Sequence, residues 1–221
     1  PQQFEELKPV FEAYLAKNGL EANLVLMGTT RQRLEFITNR LEQDIPVLDV
    51  GCGEFMYYKR MMKKGLKANY YAVDQEDRFI KLAEHISRRY DDDNLYFYQS
   101  LDEFKSDEQV NVILTEVIEH NPMDEALLLL KKALTYNFNQ MIITTPNVEF
   151  NQYYSMDDVM RHVDHHFEPT REEFRIMIES CTTGMDLNIE FFQLGDSLNG
   201  IQPTQGCIIT RIKNEELRSK N

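Results

Sequence analysis

The sequence predicts an α/β fold in which helices cover both faces of a mostly parallel, doubly wound sheet. Between residues 46 and 145, short apolar segments alternate without interruption with segments of helical periodicity. This alternation is typical of strand–helix–strand units whose strands lie parallel in one sheet. Two later segments, 187–194 and 207–212, alternate between apolar and polar residues and predict a final antiparallel strand pair.

Helices are predicted before the sheet. Apolar residues recur at helical spacing over residues 4–17, and a second helix is predicted to begin at Thr29 or Thr30 and to run to about residue 43. A length of 221 residues suits one domain with a single core. We therefore expect residues 1–45 to form a helical segment packed on a domain formed by residues 46–221.

The predicted sheet has five strands before the antiparallel pair, over residues 46–50, 68–73, 95–98, 110–114 and 140–145. The connecting helices are predicted over residues 55–64, 76–89 and 124–136. Another helix is predicted to begin at Thr170, where Glu173 would complete a capping box. The polar, histidine-bearing residues between Pro146 and Thr170 lack a regular pattern, which in a segment of that length usually indicates function or disorder.

The net charge of −13 argues against a broad nucleic-acid-binding surface, although it allows contact with a few terminal nucleotides. The basic cluster of residues 59–67 has helical spacing, which favours a solvated face over a phosphate site. Three scattered cysteines fit a reducing compartment, so we expect a cytoplasmic protein. No apolar segment approaches the roughly 20 residues that span a bilayer, and the first residues lack the layout of a secretory signal. We therefore expect no membrane partner.

The turn after the first strand predicts a nucleotide-type cofactor. Gly51 and Gly53 let the backbone approach a ligand, and Asp74, after the second strand, would accept hydrogen bonds from a ribose diol. A dinucleotide would need a further glycine at the helix start, where its pyrophosphate binds free N–H groups. Asp49 and Glu54 flank the turn instead and suit the cationic S-adenosylmethionine. A nicotinamide cofactor, or a turn without a ligand, stays an alternative.

After the third predicted strand, Ser100 and Leu101 would lie near the adenine of such a cofactor. After the fifth, Asn147 could bond a substrate at the same edge of the sheet. Each is also an ordinary residue for a turn.

A candidate metal site follows the fourth predicted strand. Glu116, Glu119 and His120 have the spacing i, i+3 and i+4, so a helical turn beginning there would direct all three side chains at one point. Two carboxylates and an imidazole suit Mg²⁺, Mn²⁺ or Co²⁺ rather than structural zinc. The alternative is an ordinary polar start of a helix. Further ligands could come from the histidines that follow Pro146, which are His162, His165 and His166.

Three blocks of this sequence resemble the RNA 3′-terminal 2′-O-methyltransferases, the small-RNA methyltransferases and their bacterial RNA-repair relatives. The blocks are Glu116-x-x-Glu119-His120, Thr145-Pro146-Asn147-x-Glu149-Phe150-Asn151 and Arg161-His162-x-Asp164-His165-x-Phe167-Glu168-x-Thr170-Arg171-x-Glu173-Phe174. The resemblance implies a Rossmann-like class I S-adenosylmethionine-dependent methyltransferase.

Carried over by position, the resemblance implies a set of ligands and a cofactor site. It implies that Glu116, Glu119, His120 and His165 bind a divalent ion, and that Gly51, Gly53, Asp74 and Ser100 hold S-adenosylmethionine. It does not imply a ligand role for His162 or His166. The partners that it implies are an RNA 3′ end with free 2′- and 3′-hydroxyls and proteins of RNA-repair or small-RNA pathways.

As a hypothesis for the mechanism, a divalent ion and an imidazole activate the 2′-hydroxyl of the terminal ribose. Arg33, Arg161 and Arg171 are the candidates for contact with phosphate groups. Three alternatives remain open. They are a metal-dependent O-methyltransferase acting on a small catechol-like diol, a non-catalytic RNA- or cofactor-binding module, and a nicotinamide enzyme.

Overall fold

The computed structural model describes residues 21–65, 67–153 and 160–212. The predicted helix over residues 4–17 lies outside the described residues. The strands of the described chain are β1 (Val47–Val50), β2 (Tyr70–Val73), β3 (Leu95–Tyr98), β4 (Val110–Thr115), β5 (Phe138–Pro146), β6 (Leu187–Leu194) and β7 (Thr204–Arg211). The α-helices are α1 (Glu21–Thr38), α2 (Met56–Lys63), α3 (Arg78–Tyr90), α4 (Met123–Ala133) and α5 (Arg171–Thr182).

All these strands belong to one sheet, in the order β3-β2-β1-β4-β5-β7-β6. Strands β1 to β5 run parallel, whereas β7 is antiparallel to both β5 and β6. The predicted mostly parallel sheet with a final antiparallel pair is therefore confirmed. The strand order reverses between β1 and β4, and in open α/β sheets the carboxyl ends of the strands at such a point form a ligand crevice.

Two layers of apolar side chains hold the helices on the sheet. Successive side chains of a strand point to opposite faces, so Leu48 of β1 packs in the layer with α4 and α5, and Val47 packs in the layer with α2 and α3. The central strands are buried throughout, as expected for parallel strands covered on both faces. This frame fixes the carboxyl ends of the strands relative to one another.

Helix α1 differs from its prediction. The chain is already helical at Glu21, the first described residue, and the helix ends at Thr38, so the predicted start at Thr29 or Thr30 is wrong. The Thr29 hydroxyl donates to the carbonyl of Val25 at 2.8 Å. This bond gives the buried hydroxyl a partner inside the helix, so Thr29 is an interior residue of α1 and not its cap. At 18 residues, α1 is the longest described helix, and none of the described helices is long and apolar enough to cross a membrane.

Helix α5 begins as predicted. The hydroxyl of Thr170 accepts from the main-chain N–H of Glu173 at 3.2 Å, and the main-chain N–H of Thr170 donates to the Glu173 carboxylate at 2.8 Å. This capping box satisfies two N–H groups that a helix start leaves free. It therefore fixes the chain where the histidine-bearing segment ends.

Candidate active site

A cavity of about 1060 Å³ opens at the carboxyl ends of the parallel strands. Loops after β1, β2, β3 and β4 line it, together with residues 163–166 from the segment before α5. The predicted cofactor residues on its wall are Gly51, Gly53, Asp74, Ser100 and Leu101. The fold thus brings together five residues that are up to 50 positions apart in the chain.

The glycine turn after β1 depends on both of its glycines for backbone conformation. Gly51 has φ +75°, and a Cβ atom there would lie 2.4 Å from a methyl group of Val117. Gly53 has φ +48° and open space around the place of a Cβ atom. Its N–H donates to the Asp74 carboxylate at 2.9 Å. The turn therefore joins β1 to the acid that follows β2, as the sequence pattern predicts.

The charges on the cavity wall favour a cationic ligand. The wall's lysine and arginine are both paired with acids of the same wall, Lys132 with Asp102 and Arg78 with Glu76. Asp74 has no cationic partner within the described residues, and its carboxylate accepts only main-chain N–H bonds. A ligand that carries its own positive charge therefore suits this wall better than a pyrophosphate group.

Asp49, the remaining predicted cofactor residue, does not line the cavity. The pleat of β1 turns its side chain to the same face as Val47, where the Tyr70 hydroxyl donates to its carboxylate at 2.5 Å. Burial raises the pKa of Asp49 to about 7, with the charge of Asp74 adding to the effect and the Tyr70 bond opposing it.

Three of the four predicted metal ligands converge. Glu119, His120 and His165 each offer one ligand atom, and these atoms lie within 4.8 Å of one another. One carboxylate oxygen of Glu119 accepts from the Thr145 hydroxyl at 3.0 Å, while the other is buried without a hydrogen-bond partner among the described groups. Burial raises the pKa of Glu119 well above its ordinary value, and the charge of Glu116 adds to this. A buried acceptor without a partner is costly, so the donor set fits a cation.

The two imidazoles of this cluster lie edge to face. Their ring centroids lie 4.7 Å apart, nearly perpendicular to each other. Burial lowers the pKa of His120, and the proximity of His165 lowers it further; the neutral imidazole is the form that binds metal ions. Nδ1 of His165 lies 2.5 Å from a Glu168 carboxylate oxygen. The N–H of His166 donates to the Glu119 carbonyl at 2.8 Å and ties the two halves of the cluster together.

Glu116 does not belong to this cluster, and the expectation that it shares a helical turn with Glu119 and His120 is wrong. It has φ +56°, and the 3₁₀ turn begins only at Ile118. Its carboxylate lies 3.0 Å from the Arg33 guanidinium and accepts from the Thr144 hydroxyl at 3.0 Å. Glu116 therefore lines the cavity as part of an ion pair.

His162 and His166, for which the resemblance implies no ligand role, are exposed. The ring centroid of His162 lies 5.5 Å from that of His165, and His166 lines the cavity. His162 is adjacent to the cluster, but among the described residues only Glu119, His120 and His165 bring their ligand atoms within 4.8 Å of one another.

None of the four predicted substrate residues lines the cavity. Asn147 and Arg161 do lie close together, since the main-chain N–H of Asn147 and the Arg161 guanidinium both donate to the Pro203 carbonyl. Arg33 is paired with Glu116, and Asn147 is buried, donating to the Gln202 carbonyl at 3.1 Å. The guanidinium of Arg161 donates to the carbonyl of Pro203. Arg171 lies beside a separate groove of about 400 Å³, where its guanidinium lies 3.0 Å from the Glu149 carboxylate.

The residues that support the cluster were not predicted from the sequence. Thr145 bonds Glu119, and Glu168 bonds His165 and Asn151. The spacing of Glu168, three residues after His165, is the one signal that could have indicated a partner for that imidazole.

Comparisons with known proteins bear on the family and the fold. A model of the methyltransferase domain family matches residues 41–199. The chain is 30% identical over 99 residues to a small RNA 2′-O-methyltransferase of Gallus gallus, an alignment that covers 43% of this chain and 26% of that protein. A chain in the solved structure of a Pnkp1/Rnl/Hen1 RNA repair complex is 38% identical and has a TM-score of 0.73, with 95% of this chain and 48% of that chain covered. The solved methyltransferase domain of a bacterial Hen1 has the same fold, with 24% identity, a TM-score of 0.70, and 83% of this chain and 99% of that chain covered.

The first two of these relatives are longer than the region that matches, since the chain spans 26% of the Gallus gallus protein and 48% of the chain in the repair complex. The family model nevertheless covers the sheet from before β1 to beyond β6. The chain therefore belongs to the methyltransferase domain family, and its resemblance to the RNA 3′-terminal 2′-O-methyltransferases is confirmed.

Proposed function

We propose that this protein transfers a methyl group from S-adenosylmethionine to the 2′-hydroxyl of the 3′-terminal nucleotide of RNA, with a divalent metal ion. One observation carries the proposal. The cluster of Glu119, His120 and His165 lies at the cavity that the glycine turn also lines, and His120 and His165 are themselves on its wall. A cation site and a cofactor site would thus meet in one space.

The donor site consists of the glycine turn and the loops after β2 and β3. Gly51 and Gly53 would let S-adenosylmethionine approach the backbone, Asp74 would bind its ribose, and Ser100 and Leu101 would border its adenine. S-adenosylmethionine supplies an electrophilic methyl group when it is bound. The absence of a free lysine or arginine on the described wall supports a cationic donor.

The metal site consists of Glu119, His120 and His165, whose mixed oxygen and nitrogen donors suit Mn²⁺, Mg²⁺ or Co²⁺. Glu116 remains a fourth candidate, although its carboxylate is bound to Arg33 and Thr144. An ion held there supplies Lewis-acid chemistry.

The chain's own contribution is to position the hydroxyl and to accept its proton. The less buried imidazole of the cluster is that of His120, and its lowered pKa keeps it neutral near pH 7. Where the ion leaves it free, it can act as the proton acceptor. Holding the hydroxyl in line with the methyl group is the other main contribution to the rate.

The relatives and the site both support the proposed substrate class. The names of the similar proteins specify small RNA 2′-O-methylation and an RNA repair complex. A terminal ribose with free 2′- and 3′-hydroxyls presents a cis-diol to the cluster, and the 2′-hydroxyl is the group that distinguishes RNA from DNA. Proteins of RNA-repair or small-RNA pathways are the proposed partners.

The test uses short RNAs that differ only at the 3′ end. The protein is incubated with labelled S-adenosylmethionine and Mn²⁺ or Mg²⁺, and with RNA that ends in a 2′,3′-diol, a 2′-deoxynucleotide or a 3′-phosphate. We expect label only on the diol end. Equal transfer to the 2′-deoxy end would exclude the proposed acceptor. Transfer to a catechol but to no RNA would indicate a small-molecule methyltransferase instead.

A further inference from the structure

We propose that Glu168 is a positioning residue for the divalent-ion site, which it serves by holding His165 in one tautomer and one ring orientation. The inference rests on the proposed function, because it assumes an ion at Glu119, His120 and His165. Glu168 does not line the cavity. Its role is therefore exerted through His165.

The bond between the two side chains is short and shielded from water. Nδ1 of His165 lies 2.5 Å from Oε1 of Glu168, and the two side chains are 6% and 0% exposed. A carboxylate can only accept hydrogen bonds, so Nδ1 must carry the proton and donate it. The second ring nitrogen, Nε2, is then unprotonated and available to a cation.

Glu168 keeps its negative charge in this buried place because three donors converge on it. They are Nδ1 of His165, the side-chain amide of Asn151 and the main-chain N–H of Arg161, the last at 2.7 Å. Hydrogen bonds to the charged form favour that form.

The donors come from two parts of the chain, so the carboxylate also sets where the ring lies. Asn151 belongs to the short 3₁₀ helix Val148–Tyr153 that follows β5. Arg161 precedes His165 in the segment that leads to α5. Glu168 therefore fixes His165 relative to the end of β5, the same strand whose Thr145 hydroxyl holds Glu119.

A neighbouring histidine with a similar partner provides an internal contrast. Nδ1 of His162 lies 3.5 Å from an Asp164 carboxylate oxygen, but these side chains are 57% and 70% exposed. Water competes for both groups in such a pair, so it fixes neither the tautomer nor the ring orientation. The buried Glu168 bond thus explains why His165, and not His162, is the imidazole prepared to bind the ion.

The tautomer is measurable in the wild-type protein without metal. In metal-free protein labelled with ¹⁵N, two-bond correlations of the His165 ring distinguish a proton on Nδ1 from a proton on Nε2. We expect the proton on Nδ1, with Nε2 free. A proton on Nε2 would overturn the proposal without any need for a mutant.

The variants test the consequence for ion binding. We expect Glu168→Ala to weaken Mn²⁺ binding by roughly 10- to 100-fold, the usual effect of removing a partner of a metal-binding histidine. Glu168→Gln should weaken it less, because its amide oxygen can still accept from Nδ1. Glu172→Gln is the matched control, an exposed glutamate in the first turn of α5, and should bind Mn²⁺ like the wild type.

Mn²⁺ binding is measured by calorimetry without S-adenosylmethionine and without RNA, and the melting temperature is recorded in EDTA. Unchanged Mn²⁺ affinity in Glu168→Ala and Glu168→Gln would overturn the role, and if Glu168→Ala does not fold, Glu168→Gln decides. A wild type that binds no Mn²⁺ would overturn both the ion site and this role. The expected Mn²⁺ pattern in a protein that transfers no methyl group would overturn the proposed reaction alone.

Discussion

The guanidinium of Arg33 lies 3.0 Å from the carboxylate of Glu116, and the two side chains are only 15% and 20% exposed. Helix α1 is thereby tied to the loop that follows β4. Burial would lower the pKa of Arg33, but Glu116, Tyr57 and Glu119 together outweigh burial and leave the pKa raised. The helix before the sheet is thus tied to Glu116, a residue of the cavity wall.

This pair should contribute more to stability than an exposed pair on a helix. In a double-mutant cycle of Arg33→Met and Glu116→Gln, we expect a coupling energy above about 1 kcal/mol, since the charges are shielded from water. The control cycle uses Glu84 and Arg88, which are 3.6 Å apart with side chains 65% and 77% exposed, and should give less than about 0.5 kcal/mol. Urea unfolding measures both cycles. Equal coupling energies would contradict a shielded pair.

Gly51→Ala should destabilise the protein for two separable reasons. The residue has φ +75°, and the new methyl group would lie 2.4 Å from a Val117 methyl group. The backbone term alone costs about 1–2 kcal/mol. Val117→Ala in the same chain should recover the steric part but not the backbone part. Gly53→Ala, where the space is open, should show the backbone part alone. Thermal unfolding compares these variants. If Val117→Ala recovers none of the stability that Gly51→Ala loses, the contact with Val117 is refuted.

Asp49→Asn should stabilise the protein at high pH more than at low pH. The folded-state pKa of Asp49 is raised from 3.8 to about 7, so the folded state holds its proton more tightly than the unfolded state does. The stability that this tighter proton binding contributes is fully present below pH 4. It is lost as the pH rises toward 7, by up to about 1.4 kcal/mol per pH unit. The amide that replaces the carboxyl group cannot ionise, so the free energy of unfolding of the variant should exceed that of the wild type more at pH 8 than at pH 5. A pH-independent difference would indicate that Asp49 does not titrate in this range.

Thr170→Ala should cost about 1 kcal/mol, because it removes the cap of helix α5. Thr183→Ala is the control, since the Thr183 hydroxyl donates only to the Glu179 carbonyl within its own helix turn and should change stability by less than half as much. The melting temperature of each variant measures the difference. Similar losses would show that the capping box adds nothing.

Much of the fold was predictable because its signals are local. Strands β3 and β6 have the predicted bounds, and β1 and β4 agree within one residue, since apolar or alternating segments delimited by turn residues indicate strands. The capping box of Thr170 and Glu173 is also a local pattern. The start of α1 was not predictable, because Thr29 bonds backward within the helix as readily as it would cap one.

The position of the site was predictable from the sequence, but the contacts that its side chains make were not. The carboxyl ends of parallel strands meet at one edge, so Gly51, Asp74 and Ser100 share a cavity. Which way a carboxylate points depends on residues distant in the chain. Glu116 turns to Arg33, a residue on a helix that precedes the sheet, and no spacing around Glu116 indicates that partner.

The proposed function requires that Glu119, His120 and His165 hold an ion on which methyl transfer to RNA depends. The rate of transfer to a diol-ended RNA as a function of added Mn²⁺, after treatment with EDTA, tests it most directly. We expect no transfer without added ion, recovery as Mn²⁺ is added, and loss of at least about 100-fold in His165→Ala but not in the exposed His166→Ala. Transfer that persists in EDTA, or equal losses in the two histidine variants, would contradict the assignment.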